Sequence, residues 1–121
     1  MKVFTNNDVV IVHSGDTFQL PIELNIGSTY YPELYELQEN DKVLLSVCEP
    51  NQDFSHALIR KIATIKDFDD GFVTFNFYFE DTAKVLPGIY YYEVKLARAA
   101  DVPSEYDLTT IVSKRKFAIL E

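Results

Sequence analysis

The sequence predicts an all-β sandwich of seven to eight short strands, and three observations predict it. Apolar residues recur at every second position in several short runs, the period of a half-buried strand. Turn residues separate those runs at intervals of about ten residues, the spacing of sandwiches and barrels. The chain also carries 8 Tyr and 9 Phe, side chains that favour a pleated, half-buried surface. Its 121 residues suit one core, and no Pro/Gly/Ser linker or repeat divides them, so residues 1–121 are expected to form a single domain.

The elements follow in order. Val9–Val12 is a short apolar run ending at the turn or bulge signal Ser14-Gly15-Asp16. Phe18, Leu20, Ile22, Leu24 and Ile26 alternate with polar neighbours. Pro21 cannot donate to a ladder, so this strand belongs at an edge or is locally unpaired. Tyr30 to Gln38 reads as one short helical turn or as an aromatic loop. Glu39-Asn40-Asp41 turns into the alternation Val43, Leu45, Val47, and Pro50 to Asp53 is a loop. Ala57–Ile62 is a strand, and Asp67-Phe68-Asp69-Asp70-Gly71 is a hairpin turn. Val73, Phe75, Phe77 and Phe79 form the clearest strand, closed by Glu80-Asp81-Thr82. Pro87-Gly88 opens Tyr90, Tyr92, Val94 and Leu96. A polar loop from Ala99 to Tyr106 precedes two last segments, Leu108–Val112 and Phe117–Leu120. No helix longer than two turns is predicted.

Charge and cysteine usage narrow the function classes. A net charge of −8 favours solubility and argues against binding a nucleic-acid backbone, which needs clustered Lys and Arg. The one basic cluster, Lys114-Arg115-Lys116, is short and lies beside the last strand. Cys48 is the only cysteine, so the core is expected to hold by burial without an intrachain disulfide, as suits a reducing cytoplasm. Neither a secretory h-region nor an apolar stretch of membrane-spanning length is visible.

Gly88-x-Tyr90-x-Tyr92 has the spacing of a tyrosine corner, in which a phenol near the start of a late strand bonds back to upstream backbone. Tyr90 is the residue expected to do so, and Tyr92 falls where antibody domains carry their second cysteine. The alternative is that both are ordinary cross-strand residues. Six segments carry a wider likeness: Ser14 to Phe18, Glu39 to Val43, Leu58 to Lys61, Glu80 to Thr82, Pro87 to Val94, and Thr110-Ile111. In that order they resemble the immunoglobulin-like module of tailed-phage baseplate and tail proteins, the kind that opens baseplate upper proteins. The resemblance spans roughly residues 10 to 120. It implies an immunoglobulin-like antiparallel β-sandwich and a non-enzymatic virion structural protein of tail, baseplate or capsid surface. Its partners would be other virion proteins or further copies of itself, with no cofactor, nucleic acid or membrane. The location implied is the virion, after assembly in the host cytoplasm.

The residues offer little catalytic chemistry. An EF-type calcium loop counted from Asp67 needs a bidentate Glu at its twelfth position, and Tyr78 stands there. Cys48 and His56 lack an orienting Asn or Asp motif. His13, Ser14 and Asp16 are too close along the chain to converge as a triad. Two His and one Cys, widely separated, do not compose a zinc site. Glu23, Glu33, Glu36 and Glu39 are expected as solvated carboxylates rather than a glycosidase pair. No catalytic residue and no metal ligand is therefore assigned.

The segment Tyr30, Tyr31, Leu34, Tyr35 is the candidate interface. Exposed aromatics are costly unless they cover an open end of the sandwich or meet a partner, and tyrosine suits interfaces. Three function classes follow. The first is docking in an assembly, through this loop and the loop Asp101–Asp107. The second is carbohydrate binding by stacking on Tyr30, Tyr31 and Tyr35. The third is a small hydrolase on a β scaffold.

Overall fold

A computed structural model describes residues 9–28, 30–52, 54–99 and 106–121, with only the backbone of 54, 106 and 107. Among the described residues, eight strands form two sheets. In chain order they are β1 (Val10–His13), β2 (Phe18–Glu23), β3 (Lys42–Cys48), β4 (Ile59–Ala63), β5 (Phe68–Asp69), β6 (Phe72–Phe77), β7 (Gly88–Ala99) and β8 (Tyr106–Leu120). One five-residue helix, α1 (Phe79–Ala83), lies between β6 and β7. The larger sheet runs β1-β8-β7-β3-β4 and the smaller β2-β6-β5. The smaller sheet matches the B, E, D order of an immunoglobulin domain, and the larger its G, F, C, C′ order with the first strand added outside G. The fold is an immunoglobulin-like β-sandwich.

All pairings are antiparallel but one: β1 runs parallel to β8, Val10 opposite Phe117 and His13 opposite Leu120. The Ser14-Gly15-Asp16 turn carries the chain from one sheet to the other, so β1 and β2 cannot close a hairpin. Gly15 takes φ +83, where a side chain would be strained, and the Phe79 ring lies 3.0 Å from where its Cβ would stand. Its N–H donates to Thr82 Oγ1 at 2.8 Å, which ties the turn to α1.

The inner faces hold the core. Phe18 and Phe77 stack at 4.5 Å in the smaller sheet, Phe117 meets both from the larger, and Tyr92 meets Phe117 edge-on at 6.2 Å. Pro21 lies opposite Thr74 on β2, an edge strand as its missing donor requires. Asp70 and Gly71, both at positive φ, form the two-residue loop of the β5–β6 hairpin, as a type I′ turn needs.

Three segments differ from the sequence reading. The alternation through Phe79 ends at Phe77. Asp81 accepts the Tyr78 N–H through its carboxylate at 2.7 Å, the chain turns into α1, and Phe79 covers Gly15. Leu108–Val112 and Phe117–Leu120 are one strand, β8, which takes extra residues opposite Tyr92 to Lys95, with Lys114 at φ +47. Strands β7 and β8 extend past the expected ends of the intervening loop, of which residues 100–105 lie outside the described residues.

Candidate functional site

The β2–β3 connection, the β5–β6 turn and the paired strand ends Ala99 of β7 and Tyr106 of β8 meet at one end of the sandwich. In variable immunoglobulin domains, one end gathers the antigen-binding loops, B–C and F–G among them. The β2–β3 connection is built as a small hairpin. Tyr35 N–H donates to Leu24 O at 2.8 Å, Ile26 N–H to Glu33 O at 2.9 Å, and Ser28 N–H to Tyr31 O at 3.1 Å. Asn25 Oδ1 accepts from Gly27 N at 2.9 Å and Glu33 N at 3.0 Å, and Ser28 Oγ accepts from Tyr31 N at 3.0 Å. Only glycine fits at 27, since a Cβ would stand 2.3 Å from Tyr31 O and 2.7 Å from Glu33 N. Two short side chains thereby satisfy backbone groups that a loose loop would leave to water.

This bracing holds Tyr30 89% exposed, Tyr31 83% exposed and Leu34 59% exposed. Leu34 also borders an open groove of about 340 Å³ lined by Tyr35, Glu36, Phe68, Asp70 and Gly71. Glu33, Glu36 and Glu39 are exposed on the same connection, and Glu23 ends β2.

Tyr35 parts from its neighbours. It packs against the core, and its hydroxyl donates to Asp41 Oδ2. Asp41 is 3% exposed; it also accepts from Gln38 N at 3.0 Å and, through Oδ1, from Ala99 N at 2.9 Å. The Arg98 guanidinium lies 5.8 Å from the centre of the Tyr35 ring. Burial, then the Asp41 hydrogen bond and charge, push the Tyr35 phenol up to about 12, with Arg98 opposing. Of the four candidate interface residues, Tyr30, Tyr31 and Leu34 form an exposed tip, whereas Tyr35 anchors it. The second expected docking loop lies outside the described residues over 101–105. Of 106 and 107 only the backbone is described, and it belongs to β8.

The opposite end holds the corner. Tyr90 is buried and its hydroxyl donates to Leu86 O, the contact its spacing predicts. Burial, then Glu49, raises its phenol pKa. Tyr92 is fully buried, and Gly88 leaves room beside the Tyr90 ring, 3.7 Å from where a Cβ would stand. Cys48 is buried, its thiol pointing to Gln52 O at 3.4 Å. His13 Nδ1 contacts Glu121 O at 3.0 Å and Asp16 caps the His13 N–H at 3.0 Å, while His56 contacts the neighbouring Ser55 Oγ at 3.1 Å. These contacts hold turns. Among the described residues, no group of three or more His, Cys, Asp or Glu could hold a metal ion.

Two site residues escape a reading by composition. Asp41 stands in a turn signal, and its burial depends on Ala99, distant in sequence. Asn25 sits on the polar side of an alternating run, where its role as a brace has no periodic signature. Asn25-x-Gly27, an Asx-turn pattern, is the signal that could have revealed the hairpin. No protein-family profile and no curated protein sequence matches the chain.

Proposed function

We propose that this chain is a docking module that works by protein–protein contact and, on the ordered likeness described above, that it serves as a structural protein of a tailed-phage virion. The observation that carries the docking reading is the braced, exposed tip Tyr30, Tyr31, Leu34 on the β2–β3 connection, beside the β5–β6 turn. Rigid tyrosines give contact area at low entropic cost, and a preformed hairpin loses little freedom on binding. Nothing in the local hydrogen bonding needs these three side chains. The likeness supports tail, baseplate or capsid surface equally.

The test uses purified tail and baseplate proteins of the phage that encodes the chain, with mass spectrometry of its virions. Wild-type protein should be found in the particle and bind one of those proteins or itself. Tyr30→Ala/Tyr31→Ala should weaken binding by about tenfold or more, as interface aromatics do. Protein that is absent from virions, stays monomeric when concentrated and binds no structural protein would sink the reading.

A second reading, a carbohydrate-binding sandwich, is favoured by one observation: Tyr30 and Tyr31 are exposed beside polar groups. Tyr35 is unavailable for stacking because its ring and hydroxyl are engaged within the domain. A glycan screen without hits removes this reading.

A further inference from the structure

The strand registers reveal a charge segregation that the linear sequence hides. On the outer face of the larger sheet, Ile62, Leu44 and Lys95 form one row, Arg60, Ser46 and Glu93 the next, and Cys48, Tyr91 and Lys116 a third. Ile11, Ala118 and Ile89 form a fourth. Lys42 stands on the same face at the start of β3, and Lys114 Nζ lies 5.6 Å from the centre of the Tyr91 ring. Among the described strand residues this face therefore bears Lys42, Arg60, Lys95, Lys114 and Lys116 against one carboxylate, Glu93. That is five minus one, +4, in a chain of net charge −8, which leaves −12 for everything else. Ile11, Ile62 and Ile89 are exposed among these cations.

We propose that this basic, apolar face docks the acidic, aromatic end of a second copy of the chain, so that copies join head to tail. The inference rests on the docking reading and names its partner. The end that carries Tyr30, Tyr31 and Leu34 also carries Glu33, Glu36, Glu39, Asp69 and Asp70; its described cations are Arg98, against the Tyr35 ring, and Lys42, which stands on the outer face at the start of β3. The two surfaces match in both respects: cations against carboxylates, and isoleucines against tyrosines and leucine. Complementary charge steers encounter and fixes register, and the apolar contacts supply the area removed from water. Because the two surfaces are different patches of one molecule, the contact is heterologous and propagates into a ring or filament. A nucleic acid is the weaker occupant. The remaining −12 repels a polyanion, and exposed isoleucines between the cations have no use for phosphate.

Two charge-reversed variants test this, Lys95→Glu/Lys116→Glu on the face and Glu33→Lys/Glu36→Lys at the end, with folding checked by circular dichroism and thermal melting. Sedimentation velocity at low ionic strength should show wild-type protein growing beyond a dimer with concentration, and high salt should weaken this by about tenfold or more. Each variant alone should stay monomeric. Their equimolar mixture should assemble again, because the intact end of one variant meets the intact face of the other and the two reversed surfaces are themselves opposite in charge. Wild-type protein that stops at a dimer, variants that assemble like wild type, or a mixture that stays monomeric overturns the proposal. So does a face that binds single-stranded DNA, lost in Lys95→Glu/Lys116→Glu, while self-assembly is unchanged. Wild-type protein that stays monomeric yet binds a purified tail or baseplate protein through Tyr30 and Tyr31 defeats this inference and leaves the docking reading standing.

Discussion

The two ends of the sandwich use tyrosine in opposite ways. At the corner end, Tyr90 is buried with its hydroxyl on Leu86 O, and Tyr92 fills the core against Phe117. At the loop end, Tyr30 and Tyr31 are exposed on a hairpin braced by backbone, Asn25 and Ser28 hydrogen bonds that do not use their side chains. Tyr35 belongs by position to the second group and by chemistry to the first. Residue type alone therefore does not divide framework from contact surface; what divides them is whether a neighbour uses the phenol.

The largest effect should come at the corner end. Tyr92→Ala removes a fully buried ring that joins the aromatic cluster between the sheets, and should cost about 3–5 kcal/mol in denaturant unfolding. That is a large share of the stability of a small domain. Next is Asp41→Ala, which leaves the Tyr35 hydroxyl and the N–H groups of Gln38 and Ala99 without their acceptor. It should cost about 1.5–3 kcal/mol, the range for hydrogen bonds to a charged group. It should also release the loop end, read as faster amide exchange at Gln38 and Ala99. A change confined to global stability would show that Asp41 does not anchor the loop.

Tyr90→Phe sharpens the corner assignment. The ring stays and only the donor to Leu86 O is lost, so the expected cost is about 1–2 kcal/mol. A cost near zero would return Tyr90 to an ordinary cross-strand role.

How far these regions could be read in the sequence follows from the range of the forces involved. Local signals were legible: the alternation of β2 and β6, the Asp70-Gly71 turn, the edge position forced by Pro21, and the Gly88-x-Tyr90-x-Tyr92 spacing. Features set by distant partners were not. Phe79 continues the period of β6 yet turns away, because Gly15 offers it a surface and Asp81 caps the Tyr78 N–H. The parallel β1–β8 pair depends on a turn that changes sheets. The extra residues in β8 carry no turn signal beyond Lys114, which adopts positive φ without being Gly, Asn or Asp. At the candidate site, exposure of Tyr30 and Tyr31 was a fair reading of a loop. The separation of Tyr35 was not, because it depends on the burial of Asp41.

Alkaline titration should separate Tyr35 from the exposed pair. Its phenol is raised from 10.0 to about 12, so the native state favours the protonated form. The stability this contributes is fully present below pH 10 and is lost as pH rises through about 12. Tyr35→Phe should therefore flatten the fall in stability between those values. The fall should not vanish, since the Tyr90 phenol is raised too. An unchanged pH profile in the variant would place the Tyr35 phenol in solvent.

The smallest effect on stability belongs to the tip, and its smallness is the point. Tyr30 and Tyr31 are exposed, and the backbone N–H and C=O of Tyr31 bond to Ser28. Tyr30→Ala/Tyr31→Ala should leave unfolding free energy within about 0.5 kcal/mol of wild type, as surface changes do. Exposed aromatic surface kept without a stability return is what a contact site requires. If the double variant instead destabilises the fold as Tyr92→Ala does, the loop end is cover for the core, and the contrast between the two ends collapses. If it costs nothing in stability and yet abolishes association, the end with buried tyrosines is the framework and the end with exposed ones is the working surface.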